Sequence, residues 1–161
     1  MSVSGDFYQF VDGDLVPLDS TLDDSLSVAD SFLLQNGNVR ALFRHLSRFA
    51  RSIEDERTIR QLPGFFASAV AKLPLEGDWF PRIEYRLTQS EGQRLFLRIR
   101  TAPERTETCR LWSIDELDPR INPSVKGPDL AICQQLRRAA NLHGADEAVI
   151  LDEDGAISDG A

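Results

Sequence analysis

Two cysteines, two histidines and two lysines are all that this 161-residue chain contains of those types. Cys109 and Cys133 are too few for a disulfide framework and lack metal-ligand spacing. His45 and His143 stand far apart, which argues against a zinc site. No apolar run approaches the length of a bilayer span. The opening MSVSGDFYQFVDGD has neither a basic n-region nor an apolar h-region, so no secretory signal is visible. There is no glycine-rich phosphate loop, catalytic serine motif or CxxC pair. These absences lead us to expect a soluble protein of a reducing cytoplasm. The formal net charge of −8 and pI near 4.7 argue against nucleic acid as a partner, because an acidic chain repels phosphate backbones. What is present, 42% hydrophobic and 27% charged residues, suits one globular domain or one domain plus part of another.

Asp12-Gly13 inside FYQFVDGDLVPL, and Asn36-Gly37 after Ser31–Leu34, read as hairpin turns. Val39, Leu42, Phe43, Leu46, Phe49, Ala50 and Ile53 fall at helical spacing, although the first of these could finish the second hairpin. Arg44, Arg48 and Arg51 lie opposite. The acids at 54–56 and then Pro63-Gly64 interrupt the pattern, so the next helix is expected from Phe65 to Leu73. RIEYRLT (82–88) and RLFLRIR (94–100) alternate as an antiparallel pair, and CRLWS (109–113) reads as a further strand. DPRINPSV (118–125) reads as a linker. Pro128 opens a helix whose buried face is Leu130, Cys133, Leu136 and Ala140, and which Gly144 stops. AVILD and AIS are strands around Asp154-Gly155. The expected class is α+β: a small mixed-sheet domain with flanking helices over 1–118, a linker over 119–125, and from Lys126 to Ala161 the beginning of a larger domain. That last stretch is too short to enclose a core of its own.

Lys126 sits where the linker meets a helix. Composition alone makes it a solvated surface residue; the sharper reading is a Schiff-base lysine beside an interdomain cleft, and spacing does not decide between them. Arg44, Arg48 and Arg51, beside His45, form either a solvated face offset by the acids at 54–56 or an anion site suited to a phosphate. Asp152-Glu153-Asp154-Gly155 starts like a calcium loop, but the ligand pattern does not continue, so a hairpin turn is the better reading.

Lys126, followed by a helix and then Gly144-Ala145-Asp146-Glu147-Ala148-Val149-Ile150-Leu151-Asp152-Glu153-Asp154-Gly155-Ala156-Ile157-Ser158-Asp159-Gly160, resembles the signature of the fold-type IV pyridoxal-phosphate enzymes. That family includes branched-chain and D-amino-acid aminotransferases and aminodeoxychorismate lyase. Upstream, His45-Leu46-Ser47-Arg48-Phe49 is similar to the family's HLxRL helix. The likeness is strong from Lys126 onward and weak over 54–110.

The resemblance implies that Lys126 forms the internal aldimine with pyridoxal 5′-phosphate and that Arg48 binds the cofactor phosphate. It places Asp159 where the family has the glutamate that pairs with the pyridine nitrogen. Transamination would follow, or lyase-type elimination, on an amino acid or similar amine, in a homodimer without nucleic acid or membrane as partner. Departures also appear. Asp30-Ser31-Phe32-Leu33-Leu34-Gln35 replaces the family's DG-x-FET-x-R, and Ala131 stands where the branched-chain enzymes carry a tyrosine. Asp129 stands near a polar position of the lyase-like members, so the comparison leans toward that branch. Family members run on for roughly a hundred residues, enough to complete a second domain of ordinary size. We therefore expect a truncated member whose pocket is not closed, with a non-catalytic module that binds an anion or a protein as the alternative.

Overall fold

Asp12 and Gly13 both adopt positive φ, 51° and 97°, the geometry of a two-residue turn whose twist matches the strands it joins. This turn links β1 (Asp6–Val11) to β2 (Asp14–Pro17) in the computed structural model, which describes residues 6–19, 22 and 26–161. The chain divides into two compact units, Met1–Pro103 and Glu104–Ala161.

In the first unit, β3 (Val28–Ser31), β7 (Arg82–Tyr85) and β8 (Leu95–Ile99) join the hairpin in an antiparallel sheet of order β2-β1-β8-β7-β3. A smaller sheet, β5-β4-β6, is built from β4 (Leu34–Gln35), β5 (Asn38–Val39) and β6 (Asp78–Trp79). The Asn36-Gly37 turn connects β4 and β5, so Val39 completes the hairpin and the helix begins later. Two helices follow, α1 (Leu42–Arg51) and α2 (Glu56–Lys72). They cover the sheet face that carries Tyr8, Phe10, Ile83, Tyr85 and Leu97. Phe65 of α2 meets Phe10 edge-on at 5.6 Å and lies 6.5 Å from Phe49 of α1. Burying side chains of this size stabilises the unit by about 1.5–3 kcal/mol each.

Contrary to the sequence expectation, α2 starts at Glu56 and runs through Pro63-Gly64. Asp55 is its N-cap, accepting from the Arg57 N–H, and Thr58, Leu62, Phe65 and Ala69 are buried along one side. That continuous packed face outweighs the hydrogen bond lost at the proline.

The second unit contains β9 (Leu111–Ser113), α3 (Leu130–Leu142), β10 (Glu147–Leu151) and β11 (Ile157–Gly160). Its sheet has the order β11-β10-β9; β9 runs parallel to β10, so α3 forms the crossover between them. The expected buried face of α3 holds: Ala140 is fully buried, and Cys133 and Leu136 pack on a core of Ile114, Ala145, Ala148 and Ile150. The helix proper begins at Leu130, with Pro128 in the turn before its N-cap, Asp129. Gly144, at φ 73°, closes it: its N–H reaches the Asn141 carbonyl and the Ala145 N–H reaches Ala140, satisfying the last carbonyls. The mixed helices and sheets make the fold α+β.

Candidate functional site

Each unit presents part of the predicted set. In the first, Arg48 lies on α1 one residue before Phe49, whose buried ring fixes the helix against α2. The Arg48 guanidinium grips Asp30 of β3 with two bonds, Nε to Oδ2 at 2.6 Å and Nη2 to Oδ1 at 2.8 Å. His45 Nδ1 lies 2.9 Å from the same Oδ1. Asp30 is almost fully buried, at 1% exposure, and a buried carboxylate persists as an ion only when paired and hydrogen-bonded. The bonds to Asp30 hold the Arg48 pKa above its ordinary value, against the opposing effect of burial. Arg48 itself remains 51% exposed, with no partner to Nη1 among the described residues. It borders an open concavity of about 720 Å³ with Phe43, Arg44, Ser47, Ala50 and Arg51. A guanidinium fixed on one edge and free on the other can present N–H groups to an oxyanion.

The second unit holds Lys126 and Asp159. Lys126 is exposed in the turn leading into α3, and among the described residues no carboxylate lies within ion-pair range of its amine. The turn is anchored by Asp129, a buried side chain that accepts the backbone N–H groups of Ile121 (3.0 Å) and Asn122 (2.8 Å). Asp159, on β11, is 55% exposed and already has two donors: Arg120 Nη1 at 2.6 Å on Oδ2 and the Gly160 N–H at 2.9 Å on Oδ1. Arg120 is in turn chelated by Asp118, with Nε at 2.9 Å and Nη2 at 2.8 Å. The bonds to Asp118 and then to Asp159 push the Arg120 pKa up, and Asp118 is held below the usual carboxylate value by the Arg120 bonds. A carboxylate has about four lone-pair positions, so Asp159 retains room for a further donor.

Asp30, Arg120 and the Asp129 anchor were not among the residues singled out for these roles in the sequence. Asp30 could have been flagged, because a lone acid inside the apolar strand Val28-Ala29-Asp30 demands a cationic partner. Arg120 gave no such signal; it sits in an aperiodic linker.

A family model for amino-transferase class IV matches residues 27–161. None of the curated proteins compared matches the sequence. Among solved structures, the chain is similar to a hypothetical aminotransferase from Mycobacterium tuberculosis in its apo form. There the TM-score is 0.72 and identity 17%, covering 98% of this chain and 65% of that one. It is also similar to an aminotransferase from Brucella abortus bound to the cofactor PLP, with TM-score 0.69 and 15% identity over 96% of this chain and 65% of that one. A Legionella pneumophila protein described as a candidate 4-amino-4-deoxychorismate lyase gives a TM-score of 0.62 at 17% identity, covering 89% of this chain and 60% of that one. The chain thus spans about 65% or less of the length of these relatives. With the family match running from the strand that carries Asp30 through the helix of Arg48 to Lys126 and Asp159, the chain belongs to the class IV amino-transferase family.

Proposed function

We propose that this chain carries part of the active site of a pyridoxal-phosphate enzyme, a class IV aminotransferase or an aminodeoxychorismate-lyase-like enzyme acting on an amino acid or similar amine. The observation that carries the reading is the amine of Lys126, without a carboxylate partner among the described residues, in the same unit as the Asp159 carboxylate, which Arg120 holds in place. The donor set suits the cofactor: an amine free to bond to an aldehyde, a carboxylate with acceptor capacity for a ring N–H, and an arginine edge for a phosphate. Structures of relatives bound to PLP support the same choice.

When bound, pyridoxal phosphate supplies an electron sink for a carbanion at the substrate carbon. Lys126 would hold the cofactor through its ε-amine and, once displaced by the substrate amine, would take and return the α-proton as general base and acid. Arg48 would bind the phosphate with the edge that Asp30 leaves open. Asp159 would accept from the ring nitrogen and keep it protonated; being one methylene shorter than glutamate, it depends more on where Arg120 holds it. Residues 126–161 would then begin the larger cofactor-binding domain, after a small domain over 1–118 and a linker over 119–125. The family resemblance further supports a homodimer at work in the cytoplasm.

Titration with pyridoxal phosphate tests the reading. A new visible absorbance band, saturating at one cofactor per chain and lost on adding a competing amine, is the expected result. A spectrum that remains the sum of free cofactor and protein would contradict it.

A further inference from the structure

An aspartate at the N-cap of a helix ordinarily turns its carboxylate onto the free N–H groups of that helix. Asp129 holds the N-cap position of α3, and its carbonyl already accepts from the Cys133 N–H at 3.0 Å, yet its side chain makes no cap hydrogen bond. The carboxylate, 5% exposed, reaches back instead to the linker and accepts the N–H groups of Ile121 and Asn122, one on each oxygen. These two bonds close a loop over 121–129, and Lys126 lies inside it. A side chain that gives up a local bond for a distant one points to a constraint elsewhere in the molecule.

The residue next to Ile121 is Arg120. Its backbone N–H donates to Asp118 Oδ1 at 3.0 Å, and its guanidinium, at 7% exposure, is held by Asp118 and bonded to Asp159. The linker that Asp129 grips is therefore the one that holds Asp159. The other bonds near Lys126 are local ones. Val125 N–H donates to the Asn122 carbonyl at 3.1 Å, Ser124 Oγ to Asn122 Oδ1 at 2.8 Å, and Leu130 N–H to the Gly127 carbonyl at 3.1 Å. A lysine amine rides on a flexible four-carbon stem, so it is placed only as well as the backbone that carries it.

We propose that Asp129 is a positioning residue of the cofactor site. Its carboxylate ties the loop of Lys126 to the segment of Arg120, and so sets where the amine stands relative to Asp159. The role rests on the cofactor reading of Lys126 and Asp159. It requires a carboxylate, because both oxygens face donors; an asparagine would turn an NH2 group toward one backbone N–H and leave that donor unsatisfied.

Two measurements test this, one without cofactor and one with it. In the cofactor-free protein, Asp129→Asn should speed amide exchange at Ile121 and Asn122 at least tenfold while leaving the β10 amides unchanged. With pyridoxal phosphate, the same variant should bind at least tenfold more weakly and alter the visible circular dichroism per bound cofactor, with reduction still labelling Lys126. Ser124→Ala, which removes a bond within the loop at an exposed position, should match the parent in both. Asp129→Glu keeps both acceptors and the charge on a stem one methylene longer; it should fold and still alter the visible circular dichroism, and it decides the matter if Asp129→Asn does not fold. A parent without a visible band overturns the cofactor reading and the positioning role with it. A parent band that the Asp129 variants leave at the same affinity and circular dichroism overturns the positioning role alone. So does unchanged exchange at Ile121 and Asn122 in Asp129→Asn, or a Ser124→Ala variant as impaired as Asp129→Asn.

Discussion

Arg48 shows why a residue's role depends on what stands behind it. Its neighbours at helical spacing, Arg44 and Arg51, look equivalent in sequence, yet only Arg48 is gripped by a buried acid. Among the described residues, the Arg51 guanidinium donates only to the Ser47 carbonyl of its own helix. A charge-assisted phosphate contact is worth about 1.5–3 kcal/mol, so Arg48→Ala should weaken cofactor binding roughly ten- to hundredfold. Arg51→Ala should leave it nearly unchanged, and equal losses in the two titrations would remove Arg48 from the role. The same logic separates the two lysines. Lys72 lies 4.8 Å from the Tyr8 ring centroid, a cation–π contact at the end of α2, whereas Lys126 has no such partner among the described residues.

At the scale of elements, α2 is where the sequence misled and packing decided. Pro63 and Gly64 are both exposed, so nothing they bury explains their presence, and both weaken the helix. A methyl group on Gly64 would meet only the Phe10 ring edge, at an ordinary 3.5 Å. Gly64→Ala should therefore stabilise the protein by about 0.5–1 kcal/mol, and Pro63→Ala by more, in denaturant melts; a loss from Gly64→Ala would mean the helix is not continuous there. The hairpins were legible because Asp-Gly and Asn-Gly specify their turns locally, and α3 because its period and its Gly144 stop agree. The arginine–glutamate face was only half legible. The alternation in Arg82-Ile83-Glu84-Tyr85-Arg86 identified the strand and its apolar side, but not that the charged side closes over Phe7 and Phe96. Pairings such as Asp30 with Arg48 and Arg120 with Asp159 span long sequence separations, which periodicity does not encode.

For the whole molecule, the two units have unequal cores. Among the described residues, the first buries six phenylalanines below 6% exposure, whereas the second rests on Ile114, Ile150 and several alanines, which bury far less apolar area. The second unit should unfold first, with faster amide exchange across β10 than across β8. The exposed stretch between the units should yield to trypsin after Arg105 under native conditions; uncut chain with uniform exchange would contradict this. Acid should act on the second unit as well. The bonds from Arg110 hold Asp146 down to about 2, from an ordinary value of 3.8. A carboxylate with a depressed folded pKa stabilises the fold above its unfolded value, and that contribution is lost as pH falls from about 4 toward 2. Asp146→Asn should remove that part of the acid sensitivity.

The central claim, that this chain holds pyridoxal phosphate through Lys126, is tested most directly by borohydride reduction of the cofactor-loaded protein followed by peptide mapping. With only two lysines in the chain, the outcome is nearly binary. The account predicts a reduced pyridoxyl group on Lys126 and none on Lys72, with the visible band lost in Lys126→Ala and kept in Lys72→Ala. A pyridoxyl group on Lys72, or an undiminished band in Lys126→Ala, would contradict it.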